Sequence, residues 1–168
     1  ILIYENDKVK CEDAFKKADV VFTLDFNSLS RARNLSSLIS SSTTKTIMID
    51  HHENPDNYAD ITISNSKMSS TCEMVYDFIC SIDKSKIDNK IATCIYTGIV
   101  ADTGSFRFPS TTSKTLKVGS ELIIYGVNVT EIFEKLHNNF QFKRLKLLGS
   151  AISNFKKIEG LPVVYTSI

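Results

Sequence analysis

Short apolar runs alternate along the chain with longer segments in which apolar residues recur at helical spacing. The runs at residues 20–24 and 46–49 are continuous, which is typical of strands buried on both faces, and each is followed directly by an aspartate. Shorter apolar runs at residues 1–4 and 61–64 predict two more strands. Helical spacing predicts helices over residues 12–17, 29–39, 91–100, 113–125, 130–136 and 142–155.

Two further signals complete the pattern. Ser70, with Glu73 three residues later, forms a capping-box pattern that predicts the start of another helix. Residues 163–165 are again strand-like. We therefore expect an α/β fold with a mostly parallel β-sheet flanked by helices, followed by a helical segment.

Composition narrows the class of protein. The chain has 168 residues, 42% of them hydrophobic, and a net charge of +1, so we expect one well-buried core and local recognition of any phosphate-bearing ligand. No apolar run approaches the roughly 20 residues that span a bilayer, so no membrane partner is expected. The four cysteines form no Cys-x-x-Cys pair, which favours reduced thiols in the cytoplasm. Because the chain starts with Ile1 and stops just after a strand-like segment, we expect it to be a piece of a longer protein.

Chemistry-bearing residues follow the two buried strands. Asp25 ends the first strand and Asp50-His51-His52 end the second, where open α/β sheets bind their ligands. A carboxylate after an apolar run is costly to bury unless a cation or hydrogen bonds satisfy it; a helix N-cap is the alternative role. Successive side chains of extended backbone point to opposite sides, so His51 and His52 are expected to differ, one binding metal and the other a phosphate. Local hydrogen bonding in a loop is the alternative for this pair.

A third acid, Asp102, lies just after the predicted helix of residues 91–100. The negative end of the helix dipole makes this position unfavourable unless a cation is near. Arg107 would supply that cation in a plain ion pair, and a metal ion is the other candidate. Between them, Thr103, Gly104 and Ser105 form a small, hydroxyl-rich turn that can approach a phosphate closely.

These residues stand in three motifs that resemble those of a known family. Residues 23–27 (TLDFN), 49–52 (IDHH) and 101–108 (ADTGSFRF) are similar, in order, to the second, third and fourth motifs of the DHH phosphoesterase superfamily. The likeness is strongest to its bifunctional oligoribonuclease and PAP phosphatase branch, the nano-RNases. Further similar segments are residues 69–76, 110–112 and 144–149.

The resemblance implies a role for each residue. Asp25 would bridge two metal ions, and His51 with Asp102 would complete the coordination of one of them. His52 would contact the scissile phosphate, and Asp50 would orient the histidines. The two ions would be Mn²⁺, with Mg²⁺ as the second choice.

Further contacts to the substrate phosphate would come from Arg107 and Ser105. The implied activity is a metal-dependent hydrolysis of short RNA oligonucleotides and 3′-phosphoadenosine 5′-phosphate, by two-metal activation of water. A homodimer is left open.

One family feature is absent from this sequence. The first motif, His-x-Asn-Pro-Asp-Gly-Asp, supplies further ligands to both metals in the family, and His137 cannot replace it because no matching acids surround it. We interpret His137 as a surface helix residue. Three protein ligands are too few for two ions, so the chain alone is expected to be inactive. The expected organisation is a partial DHH domain (residues 1–140), a linker helix (141–158) and the start of a C-terminal DHHA1-type domain (159–168).

Two alternative functions remain open. Within the superfamily, the protein would be a cyclic-dinucleotide phosphodiesterase or an inorganic pyrophosphatase, which product assays with each substrate would separate. A function of a different class would be that of a non-catalytic nucleotide-binding module. The sequence upstream of Ile1 would distinguish the two: a first motif there would indicate an enzyme, and its absence would favour the binding module. The sequence contains neither a Gly-x-Ser-x-Gly elbow nor a P-loop, which argues against a serine hydrolase and a P-loop NTPase.

Overall fold

A computed structural model of the chain describes residues 1–138 and 142–167. These residues divide into two compact units, the first spanning Ile1–Val127 and the second beginning at Asn128. None of the helices within the described ranges has both the length and the apolar character needed to cross a membrane.

A three-stranded parallel sheet forms the centre of the first unit. Its strands are β1 (Val20–Leu24), β2 (Lys45–Asp50) and β3 (Ile61–Ser64), in that spatial order. The central strand β2 carries the fully buried Met48 and Ile49, as expected for a strand covered on both faces. The predicted strands at residues 20–24, 46–49 and 61–64 and the α/β fold with a parallel sheet flanked by helices are confirmed.

Helices flank this sheet. They are α1 (Tyr4–Lys17), α2 (Ser36–Ser40), α3 (Thr71–Asp83), α4 (Asn89–Asp102) and α5 (Ser113–Ile124), with 3₁₀ segments at Leu29–Leu35 and Lys84–Lys86. A side chain caps each of the three longest buried helices at its N-terminus: Ser70 for α3, Asp88 for α4 and Thr112 for α5. The core lies among these three helices and β2.

The amino-terminal segment corrects one prediction. Residues 1–3 form no strand, and helix α1 begins at Tyr4 rather than at residue 12. Glu5 and Asp7 in its first turn and Lys16 and Lys17 in its last turn complement the helix dipole, which favours a helix over a strand there. The predicted helix at 29–39 is also divided into a 3₁₀ segment and the short α2, with Arg33 in the left-handed region at φ 49°.

The second unit contains α6 (Val129–Phe133), a π-helical segment (Glu134–Asn138) and α7 (Phe142–Ser153). It also contains an antiparallel pair, β4 (Lys156–Lys157) with β5 (Val164–Tyr165). The final strand was expected, whereas its partner β4, two lysines with no apolar signal, was not. The proposed boundary at residue 140 lies outside the described residues, and the boundary at residue 158 stays a prediction.

Candidate metal centre

Asp25 occupies a strained position at the carboxyl end of β1. Its backbone lies in the left-handed region at φ 67°, which costs a residue other than glycine about 1 kcal/mol or more. Its amide still continues the sheet by donating to the carbonyl oxygen of Ile49 at 3.2 Å. The turn therefore lifts the Asp25 carboxylate above the strand ends, where its side chain is 55% exposed.

The loop after the histidines fastens this turn. The Tyr58 hydroxyl lies 2.8 Å from Thr23 Oγ1 and donates to the Phe26 carbonyl oxygen at 3.2 Å, so it contacts the chain on both sides of Asp25. The Tyr58 ring also stacks on Phe26, with centroids 6.1 Å apart. Burial is the main cause of a raised pKa for Tyr58, which therefore stays a neutral phenol at physiological pH. These contacts favour the left-handed backbone conformation of Asp25.

His51 is aimed by a backbone carbonyl. Its Nδ1 lies 3.3 Å from the Met68 carbonyl oxygen, and because a carbonyl only accepts, Nδ1 is the nitrogen that donates, which leaves the lone pair on Nε2 in the neutral ring. Nε2 lies 3.7 Å from Asp25 Oδ1 and 3.9 Å from Asp102 Oδ2. Both distances exceed hydrogen-bond contact, so three potential ligand atoms converge without satisfying one another.

His52 is held by Asp50, which is completely buried. One Asp50 oxygen lies 2.7 Å from His52 Nδ1, and the other accepts the His52 backbone N–H at 2.9 Å. Asp50 therefore orients His52, whereas Met68 orients His51. The expectation that the two rings point to opposite sides is wrong: their centroids lie 4.9 Å apart in an edge-to-face arrangement, because β2 ends at Asp50 and the backbone bends after it.

The third acid, Asp102, is the last residue of α4 and faces the same point. Its pKa is raised, mainly by burial and next by the neighbouring Asp25 carboxylate. The two histidines lower the pKa but do not cancel the rise. The expected ion pair with Arg107 does not form among the described contacts; Arg107 Nε donates instead to the Gly104 carbonyl oxygen at 2.7 Å. The surroundings of Asp102 thus agree with the other expectation, in which a metal ion rather than Arg107 supplies the cation.

The turn after α4 is unusually tight. Gly104, Ser105 and Phe106 are all left-handed, with φ values of 53°, 65° and 63°. A Cβ on Gly104 would come within 2.5 Å of the Phe108 ring, so this position requires glycine. Thr103 Oγ1 accepts the Phe106 N–H at 2.9 Å and stabilises the turn that carries Ser105.

These side chains form one group, which we call the strand-end cluster: Asp25, His51, His52 and Asp102. One ligand atom from each of Asp25, His51 and His52 lies within 4.8 Å of the others. Carboxylate oxygen and imidazole nitrogen suit first-row divalent metals, and the unsatisfied convergence on His51 Nε2 fits a cation. The structure thus brings together the residues that the sequence placed at separate strand and helix ends.

Sequence reasoning missed three residues that support the cluster. They are Met68, Tyr58 and Thr71, whose Oγ1 donates to Asp25 Oδ1 at 2.9 Å. Only Thr71 lay in a segment already singled out, residues 69–76. His137 lies on the exposed π-helical segment of the second unit, with its ring 5.6 Å from Phe133, which agrees with a surface role.

Comparison with known proteins gives a consistent set of relatives. The family described as "DHH family, N-terminal domain" matches residues 2–99. The bifunctional oligoribonuclease and PAP phosphatase NrnA of Bacillus subtilis is 40% identical over 118 residues, which are 69% of this chain and 37% of that protein. The NrnA of Thermus thermophilus is 34% identical over 110 residues, which are 64% of this chain and 32% of that protein. This chain therefore spans about a third of the length of these relatives.

A solved structure extends the likeness to nearly the whole chain. An exopolyphosphatase-related protein from Bacteroides fragilis superposes with a TM-score of 0.90 at 37% identity, covering 95% of this chain and 47% of that one.

Proposed function

The chain belongs to the DHH family, and from this premise we propose that its strand-end cluster serves a phosphoesterase that hydrolyses short RNA oligonucleotides and 3′-phosphoadenosine 5′-phosphate. The observation that carries the proposal is the convergence of the Asp25 and Asp102 carboxylates on His51 Nε2, beside the Asp50–His52 pair. The substrates are suggested by the names of the Bacillus and Thermus relatives, each about one-third spanned by this chain.

Asp25, His51 and Asp102 would hold Mn²⁺ in this proposal, with Asp25 shared between two ions. Bound divalent cations supply two things: they lower the pKa of water that they bind, and they neutralise charge on phosphoryl oxygens. The Met68 carbonyl accepts from His51 Nδ1, so Nε2 is the nitrogen that faces the metal position, and Thr71 donates to one carboxylate oxygen of Asp25.

His52 would contact the phosphate itself. Because Asp50 occupies its Nδ1, Nε2 is the nitrogen that remains for a ligand. A protonated His52 ring donates from Nε2 to a phosphate oxygen, with its charge balanced by the buried Asp50 carboxylate. This arrangement orients the substrate and stabilises negative charge at phosphorus.

Arg107 and Ser105 would complete the phosphate contacts. The Arg107 Nε bond to Gly104 leaves the terminal guanidinium nitrogens for a phosphate, which such a fork binds well. We place the activity in the cytoplasm, in keeping with the four free cysteines, and retain the homodimer as a prediction for sedimentation to check.

The test is hydrolysis by the full-length protein with Mn²⁺. The substrates are a diribonucleotide and 3′-phosphoadenosine 5′-phosphate, with pyrophosphate and a cyclic dinucleotide run alongside for the alternative activities. Asp25→Ala should lower the rate by at least the roughly 100-fold that loss of an outer-sphere partner can cost a metal site. Asp56→Ala is the matched control, because among the described residues the hydrogen bond from Asp56 to the Asp25 turn is donated by its backbone N–H, which alanine keeps. Full activity in Asp25→Ala would contradict the assignment.

A further inference from the structure

A set of buried polar side chains lies beside the strand-end cluster. We call it the buried hydroxyl network, and its members are Ser69, Ser70, Thr71, Glu73 and Thr115, each at most 4% exposed. A carboxylate such as Glu73, at 1% exposure, is costly to bury unless hydrogen bonds and a counter-charge satisfy it. The proposed chemistry uses Thr71 from this set and leaves Glu73 without a task.

Helix capping does not account for Glu73. Ser70 Oγ caps α3 by accepting the Glu73 backbone N–H at 3.0 Å. A capping box would also send the Glu73 carboxylate back to the Ser70 N–H, in a position that is normally open to solvent. The carboxylate points elsewhere, so the sequence-based capping box is only half formed.

The Glu73 carboxylate instead joins two helix starts. Its Oε2 accepts hydrogen bonds from Ser69 Oγ and from Thr115 Oγ1, the latter at 2.9 Å. Lys114 Nζ lies 4.0 Å from Oε1 and partly balances the charge. Ser69 precedes α3 and Thr115 lies in the first turn of α5, so Glu73 fastens the segment before α3 to a second helix.

That segment and the first residue of α3 contact two members of the strand-end cluster. Met68 accepts from His51 Nδ1 through its carbonyl, and Thr71 donates to the Asp25 carboxylate. Ser69, the residue that Glu73 holds, lies between them in the chain. A shift of Ser69 would therefore displace the two contacts that aim His51 and Asp25.

We propose that Glu73 is a positioning residue of the metal centre, acting through Ser69 on the Met68 carbonyl and the Thr71 hydroxyl. The proposal rests on the proposed function, because it concerns the same ligands. Two of the segments that resemble the family had no role assigned to them, and the proposal gives each of them one. Residues 69–76 contain Ser69, Thr71 and Glu73 themselves. Residues 110–112 contribute Thr112, whose side chain pairs with Thr115.

Binding of Mn²⁺ alone to the full-length protein, titrated by electron paramagnetic resonance, tests the proposal. Glu73→Ala should weaken binding 10- to 100-fold, roughly the effect of losing an outer partner of a metal ligand. Glu73→Gln should restore most of it, because one amide oxygen can accept both hydroxyl bonds. In the metal-free chain, the ring ¹⁵N signals of His51 should show the single Nδ1–H tautomer in the wild type and in Glu73→Gln, and a mixture in Glu73→Ala.

Glu121→Ala is the matched control. Glu121 also joins α3 to α5, accepting from Tyr76 at 2.5 Å, but it makes none of the contacts of residues 68–71. It should leave both readouts unchanged. If Glu73→Ala does not fold by circular dichroism, Ser69→Ala removes the same link without changing the carboxylate, and a weaker form of both effects is expected.

Two outcomes have distinct meanings. A folded Glu73→Ala or Ser69→Ala chain with wild-type Mn²⁺ affinity and an unchanged His51 spectrum would overturn the positioning role. A full-length wild-type protein that binds no Mn²⁺ would contradict the metal centre, and the metal-free His51 spectra would then decide the positioning role on their own.

Discussion

The strand-end cluster and the buried hydroxyl network are both polar, yet they are built in opposite ways. In the cluster, the Asp25 and Asp102 side chains are 55% and 36% exposed and face the same ring nitrogen at distances beyond hydrogen-bond contact. In the network, every hydroxyl is buried and has a named partner. The comparison separates carboxylates that lie too far from the ring nitrogen they face to bond with it from hydroxyls whose hydrogen bonds are already used.

The two regions should therefore respond differently to substitution. A like-charge pair without a cation destabilises the folded chain, so removing one of its charges should not reduce stability. A buried hydroxyl that pairs with a carboxylate leaves that carboxylate unsatisfied when it is removed. In the cluster, a substitution is thus expected to weaken ligand binding without lowering stability. In the network, a substitution is expected to lower both stability and ligand binding.

The largest stability effect is expected from Thr115→Val in the network. Valine keeps the shape but removes the donor to Glu73 and the acceptor of the Thr112 N–H cap. The free energy of unfolding should fall by about 1–3 kcal/mol, the usual penalty for an unsatisfied buried group. Urea denaturation followed by circular dichroism measures this change.

Thr111→Val is the control for that substitution. It makes the same chemical change four residues earlier, but Thr111 Oγ1 is buried with no hydrogen-bond partner among the described residues. Its removal should leave stability equal or higher. Equal losses in Thr111→Val and Thr115→Val would mean that the network bonds are not what stabilises this region.

Tyr58→Phe should have a smaller effect and would sharpen the comparison at the strained turn. It removes the bonds to Thr23 and Phe26 but keeps the stacked ring. We expect a loss of about 0.5–1.5 kcal/mol in the free energy of unfolding, typical of a hydrogen bond, together with weaker Mn²⁺ binding. Tyr76→Phe, which removes the bond to Glu121, should cost similar stability but leave Mn²⁺ binding unchanged. Identical Mn²⁺ affinities in the two variants would show that Tyr58 does not hold Asp25.

The sequence predicted the members of the cluster better than their support. Asp25, Asp102 and the pair His51 and His52 each follow an apolar run, and periodicity detects such runs. Thr71 and Tyr58 could not be found in this way, because they lie 46 residues from Asp25 and 35 residues from Thr23 along the chain. Contacts of that kind depend on how the loops close over the sheet edge, which hydrophobic spacing does not encode.

The fold shows the same division. The buried strands β1 and β2 carry strong signals, whereas the apolar residues 1–3 contain too few positions to distinguish a strand from the start of a helix. The ring directions of His51 and His52 were also wrong, because alternation holds only while the backbone stays extended, and β2 ends at Asp50. Local patterns thus determine where the elements run, while tertiary contacts determine how the side chains at their ends are aimed.

The smallest effect, and the one that tests the cluster most directly, is the pH dependence of Asp102→Asn in the metal-free chain. Because the pKa of Asp102 is raised in the folded state, the folded chain binds more protons than the unfolded chain between the two pKa values. The contribution of Asp102 to stability therefore falls as pH rises from its ordinary value of 3.8 through the folded value, and it stays unfavourable above that. Asp102→Asn should relieve this penalty at pH 7 by roughly 0.5 kcal/mol or less, since a 36% exposed side chain is screened by solvent.

Thermal unfolding at several pH values measures this difference, with Asp56→Asn as the control for a loop acid. The gain from Asp102→Asn should disappear below pH 3.8, where both chains carry a neutral group at residue 102. Adding Mn²⁺ should reverse the sign at pH 7, because the wild-type carboxylate then contributes a ligand that asparagine supplies less well. A stability difference that is constant with pH, or one that Mn²⁺ does not alter, would mean that Asp102 is an ordinary helix-end acid rather than part of the strand-end cluster.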